Sequence, residues 1–120
     1  GRRTVFKGGL GRMERVTFVA GMQELLGKTN FIYGLYRSEP KVPYGFYQRV
    51  SSDNKFFDDK VYQKINTYEM RVVTDYKDFE LEKQIEDLMD DLGITYNVVH
   101  EEDITKEKVH VVEWEFDLVE

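Results

Sequence analysis

Val109-His110-Val111-Val112-Glu113-Trp114-Glu115-Phe116-Asp117-Leu118-Val119 decides the fold. His110, Val112, Trp114, Phe116 and Leu118 take one parity, and Glu113, Glu115 and Asp117 the other. Successive side chains of a strand point to opposite faces, so this is a strand with one covered face and one wet face. That alternation belongs to antiparallel sheets; strands buried on both faces read as continuous apolar runs. The same mark recurs in Val61 to Thr74, where Tyr68, Met70 and Val72 alternate with Glu69 and Arg71. Val61 and Ile65 sit on the other parity, which predicts a bulge near Asn66 and Thr67.

The covering layer lies in two helical patterns. Leu81, Ile85, Leu88, Met89 and Leu92 make one apolar stripe, capped by Asp75 or Asp78 and stopped at Gly93. Glu80, Glu82, Glu86, Asp87, Asp90 and Asp91 form its solvated acidic face. Earlier, Phe18, Val19, Met22, Leu25 and Leu26 make a second stripe over Glu14 to Leu26, ended by Gly27. Gly21 inside that stripe costs about 1 kcal/mol of helix propensity relative to Ala, a sign of close packing. Phe31 to Tyr36, Tyr44 to Val50 and Ile94 to Val99 read as further strands. Residues 38–43, holding both prolines, read as a loop, and Ser51 to Lys55 and His100 to Lys108 as polar turns. The order is α-β-β-β-α-β-β. The expected class is α+β, a mostly antiparallel sheet covered on one face by two helices.

One hundred and twenty residues hold one core, so a single α+β domain is expected over residues 13–120. Residues 1–12 carry Arg2, Arg3, Lys7 and Arg12 without an acid, and read as a flexible basic arm or a cloning remnant, dispensable for folding. That arm holds +4 of a chain total of −6, which leaves −10 on the remainder. An acidic body argues against a broad phosphate-binding surface. The chain has no cysteine, which excludes disulfides, a thiolate nucleophile and Cys-based metal sites. No run approaches the length of a membrane span.

The residues offer little that converges on catalysis. Gly8-Gly9-Leu10-Gly11 follows no strand and matches no phosphate loop, and no Ser sits in a nucleophile elbow. Asp58-Asp59 and Asp90-Asp91 each lack a partner carboxylate and read as solubilising charge. His100-Glu101-Glu102-Asp103, with His110 nearby, has the right ligand types for a metal, but in consecutive turn positions and not at defined offsets. His110 reads as a hydrogen-bonded structural histidine. The expectation is a non-enzyme without catalytic, cofactor or metal residues.

Aromatics make up 14% of the chain, more than so small a core absorbs, so some should meet a partner. Phe56 and Phe57 are the strongest candidates. Adjacent residues cannot both face one side of a strand, and these lie between polar Ser51 to Lys55 and Asp58-Asp59-Lys60. Either the sheet curls and buries both, or Lys55, Phe56, Phe57, Asp58 and Asp59 are the subunit interface, an apolar tip on a projecting hairpin; the interface is the expectation.

The order of several motifs resembles a known family. Pro43-Tyr44-Gly45-Phe46-Tyr47 is followed by Ser52-Asp53-Asn54-Lys55, Asp59-Lys60-Val61-Tyr62 and Ile65-Asn66-Thr67-Tyr68-Glu69-Met70. Then come the acidic helix from Asp78 to Leu88, Asp91-Leu92-Gly93-Ile94-Thr95-Tyr96 and Val111-Val112-Glu113-Trp114-Glu115-Phe116. Together they resemble the tail-completion or tail-terminator (head–tail joining) proteins of long-tailed phages and prophages of Gram-positive bacteria, over about Glu14 to Leu118. Residues 1–12 have no counterpart in that pattern, and Phe56-Phe57 enlarges its usual turn. The resemblance implies a structural subunit that forms a ring, usually a hexamer, at the head-proximal end of the tail tube in the virion, assembled in the host cytoplasm. Its partners would be itself, the major tail tube protein and the head connector or stopper, with DNA only passing through the lumen. The alternatives are a head-side connector or stopper subunit, or a small non-enzymatic binding or regulatory module.

Overall fold

A computed structural model describes the backbone of residues 7–57 and 61–120, and the side chains of 14–52 and 64–120. Helix α1 spans Lys7–Leu26, β1 Phe31–Tyr33, β2 Tyr44–Phe57, β3 Val61–Thr74, α2 Phe79–Asp91, β4 Thr95–Ile104 and β5 Val109–Val119. The five strands form one sheet in the order β1-β2-β3-β5-β4. Only β1 runs parallel to its neighbour, β2; the remaining pairs are antiparallel. The class is α+β with the expected element order.

The core lies between the helices and one sheet face. Phe18, Met22 and Leu26 of α1 and Leu81, Ile85 and Met89 of α2 pack on Tyr47, Tyr68, Met70, Val72, Val112, Trp114, Phe116 and Leu118. Trp114, Phe18 and Leu118 are wholly buried. The two helices come close at Gly21, where a Cβ atom would stand 2.8 Å from the Leu88 methyls. α2 is capped by Asp78, whose side chain accepts from Leu81 N at 3.0 Å. It stops at Gly93, whose φ of 73° suits a residue without Cβ.

Several boundaries differ from the sequence reading. α1 begins at Lys7, inside the stretch expected as an arm, so residues 7–12 continue the helix. Residues 1–6 lie outside the described residues. β1 stops at Tyr33, because Gly34 turns the chain at φ 88° and donates to Tyr47 O. β2 runs straight through Ser51 to Lys55. A strand without apolar alternation needs only a partner to pair with, and β3 supplies it. β3 keeps its parity throughout, and the bulge sits opposite it in β2, between Arg49 and Ser51. β4 likewise extends through His100 to Ile104, with its own irregularity between Val98 and His100. The expected long turn contracts to residues 105–108, with Lys108 at φ 57°.

The second sheet face is not wholly wet. Residues of the 34–43 loop fold over one end of it, where Tyr44, Val73 and Val111 are buried beneath Tyr36, Val42, Ile104 and Val109. Tyr36 OH fastens that loop by donating to Gly45 O at 2.8 Å.

Candidate functional site

The hairpin that holds the expected interface residues is longer than its sequence implies. β2 and β3 each hold 14 residues, about 45 Å of strand. β1 pairs only with Gly45 to Tyr47, and β5 leaves β3 at Ile65. Beyond that point Asn54↔Lys64, Lys55↔Gln63, Phe56↔Tyr62 and Phe57↔Val61 pair with one another, and the Glu120 amide reaches in to donate to Lys64 O at 2.8 Å. The ribbon thus outruns the sheet by four register pairs, roughly 13 Å. Lys55, Phe56 and Phe57 close β2 at its far end. Their side chains, and Asp58 and Asp59 altogether, lie outside the described residues.

The uncovered part of the sheet carries charge. Register places Phe46, Arg71, Glu113 and His100 in one cross-strand row, Gln48, Glu69, Glu115 and Asn97 in the next, and Ser51, Thr67, Asp117 and Thr95 in a third. Arg71 is neutralised by Glu113, 2.5 Å away, and lies over the Phe46 ring at 6.0 Å. Thr67 donates to Asp117 at 2.7 Å. Glu69, Glu115 and Asp117 leave the face acidic.

His100 to Asp103, read as a turn, is a strand, and this sorts its ligand-type residues. Glu101 and Asp103 point to the helix side, where His110 sits at 5% exposure. His110 Nδ1 lies 2.6 Å from Asp103 Oδ1, and Nε2 2.8 Å from Glu101 Oε2. Burial opposes the imidazolium, but these two carboxylates outweigh it and raise the pKa of His110. Lys77 Nζ bridges Glu101 Oε2 at 2.6 Å and Glu82 Oε1 at 2.7 Å. Lys77 and His110 together hold the Glu101 carboxyl below its ordinary range. Glu82 therefore leaves the solvated acidic face assigned to it, as does Glu86, which accepts from Trp114 Nε1 at 2.8 Å. Asp90 and Asp91 stay exposed. The His110 cluster follows from the register: the tight turn at residues 105–108 sets Asp103 opposite His110, a pairing that the polar stretch 100–103 does not announce by alternation.

A second polar knot joins α1, β3 and the end of β5. Glu120 accepts from Arg15 Nε at 2.7 Å, Tyr68 OH at 2.6 Å and Asn66 Nδ2. Burial alone would raise the Glu120 pKa, but these three donors lower it. No helix among the described residues is long and apolar enough to cross a membrane.

No family model matches the chain, and no curated protein matches it. Among solved structures, a chain of the virion of a native gene transfer agent particle is similar over 91% of this chain and 90% of its own. The identity is 12% and the TM-score 0.44.

Proposed function

We propose that this chain is a structural, non-catalytic subunit of a long-tailed phage, which assembles as a ring, a hexamer by family resemblance, at the head-proximal end of the tail tube. There it ends tube growth and offers the surface that meets the head connector. The observation that carries the reading is the β2–β3 ribbon. It outruns the sheet by four register pairs and ends in Phe56-Phe57. A two-stranded ribbon is marginal in water by itself, and an apolar tip on one is tolerated where a partner covers it. A ring supplies that cover at every subunit boundary through head-to-tail contacts that close. The motif order from Pro43 to Phe116 adds its support. The acidic open face suits a lumen through which DNA passes, since like charge replaces the attraction that binders use.

Phe56→Ser combined with Phe57→Ser tests it. By light scattering and electron microscopy, the wild-type chain is expected to form rings alone or on added tail tubes. The double variant should keep its circular dichroism spectrum and lose the ring, and phage carrying it should make overlong or headless tails. A folded double variant that still forms rings refutes the hairpin as the interface. A wild-type chain that does not cap tubes refutes the function.

A further inference from the structure

We propose that Glu82, Glu101 and His110 form a binding site for a zinc-like divalent cation, which takes the place held by the Lys77 ammonium. This inference is independent of the assembly reading. The three side chains come from α2, β4 and β5, and their ligand atoms all lie within 4.8 Å of one another. One imidazole nitrogen and two carboxylate oxygens are zinc-type donors, whereas calcium and magnesium favour all-oxygen shells. Three protein ligands leave a fourth tetrahedral position for water.

The shell behind His110 has the form that zinc histidines use. Its Nδ1 faces Asp103 at 2.6 Å, so the ring is oriented with Nε2 toward Glu101. A carboxylate on the far nitrogen fixes both the tautomer and the ring plane of a metal-bound histidine. The imidazole is held rigidly, with 7% of its side chain exposed. Glu101, at 39%, is free to adjust. Zinc bonds of about 2.0–2.2 Å set ligand atoms roughly 3.4 Å apart, so the His110–Glu101 pair, now at 2.8 Å, must open slightly while the wider separations, up to 4.8 Å, close. Glu101 and Glu82 can supply that by rotation.

Lys77 marks where a cation belongs. Its Nζ lies 2.7 Å from Glu82 and 2.6 Å from Glu101. It also lies 4.8 Å from the centre of the exposed Phe79 ring, a contact that can hold the ammonium once it leaves the carboxylates. A divalent ion replaces one positive charge by two between the same carboxylates.

Titration of the metal-free chain with Zn2+ alone, by calorimetry and by Co2+ absorption in the visible, tests the site. One ion per chain is expected, with the strong visible bands of a four-coordinate Co2+ centre. Lys77→Met should bind tighter. Glu101→Gln should bind less tightly by about tenfold or more, and Asp103→Asn by about tenfold, the usual effect of losing a ligand's support. His100→Gln, which touches only the exposed His100–Glu102 pair, should bind as the wild type does. Circular dichroism checks that each variant is folded. Absence of binding in both the wild type and Lys77→Met overturns the proposal. So does binding of wild-type affinity in folded Glu101→Gln, or binding that is lost in His100→Gln.

Discussion

Glu69 on β3 and Glu115 on β5 stand directly opposite each other on the uncovered sheet face. Like charges in that position destabilise a sheet, by roughly 0.2–1 kcal/mol per pair. Glu115→Gln removes the repulsion and should raise the stability by about that amount in urea unfolding, most clearly at low salt. Unchanged or lower stability would mean that the two carboxylates are held apart by their neighbours. In the proposed ring, the repulsion is the cost of keeping the face acidic.

Trp114 reports on the core. It is wholly buried, and it is the single tryptophan of the chain. Its emission in the folded protein should be shifted to short wavelength and shielded from iodide. Trp114→Ala should cost about 3–5 kcal/mol, the usual loss for a buried large aromatic. A water-like emission maximum under native conditions would contradict this packing.

Glu120 gives the acid limb of the stability curve. Its carboxylate is charged and held by Tyr68, Asn66 and Arg15, so its folded pKa lies below the ordinary 4.5. The stability it contributes is present above that ordinary value, and is lost as pH falls through the lower, folded one. Glu120→Gln should therefore be less stable than the wild type near neutrality, and should converge with it in acid. Parallel stability curves from pH 7 down to strong acid would show that Glu120 is not linked to folding.

Asp78 starts α2 with a side chain bonded to Leu81 N. Asp78→Ala leaves that amide without its cap and should cost about 1 kcal/mol. Asp78→Ser should recover most of it. An unchanged melting temperature in the alanine variant would mean that tertiary packing alone fixes the helix start.

Where apolar and polar residues alternate, the chain was legible before any coordinates. β5, the inner half of β3 and α2 fall where their periodicity put them, and Gly21 sits at the helix contact its cost implied. The misses share one cause. Ser51 to Lys55 and His100 to Asp103 are strands with few apolar residues, so a period of two leaves no trace in hydropathy. Their structure comes from pairing with distant segments, Ser51 with Thr67 and Asp103 with His110. The small second core was hidden for a related reason. Val73 and Val111 occupy the parity of a wet face, and the 34–43 loop, with Ile104 and Val109 beside them, makes it dry. The His110 cluster depends on the same pairing: Glu101 and Asp103 reach it only once β4 is a strand.

β4 is the last strand of the sheet, and its outer row of amides and carbonyls faces no other strand among the described residues. Such a margin ordinarily recruits further strands and can seed fibres. Here its course is broken between Val98 and His100, and Glu101-Glu102-Asp103 follows at once. Two copies meeting margin to margin would bring acid against acid across a bent seam. Uncontrolled growth by sheet extension is thereby blocked at the open flank. In the proposed ring, association would be left to surfaces whose geometry limits how many copies can join.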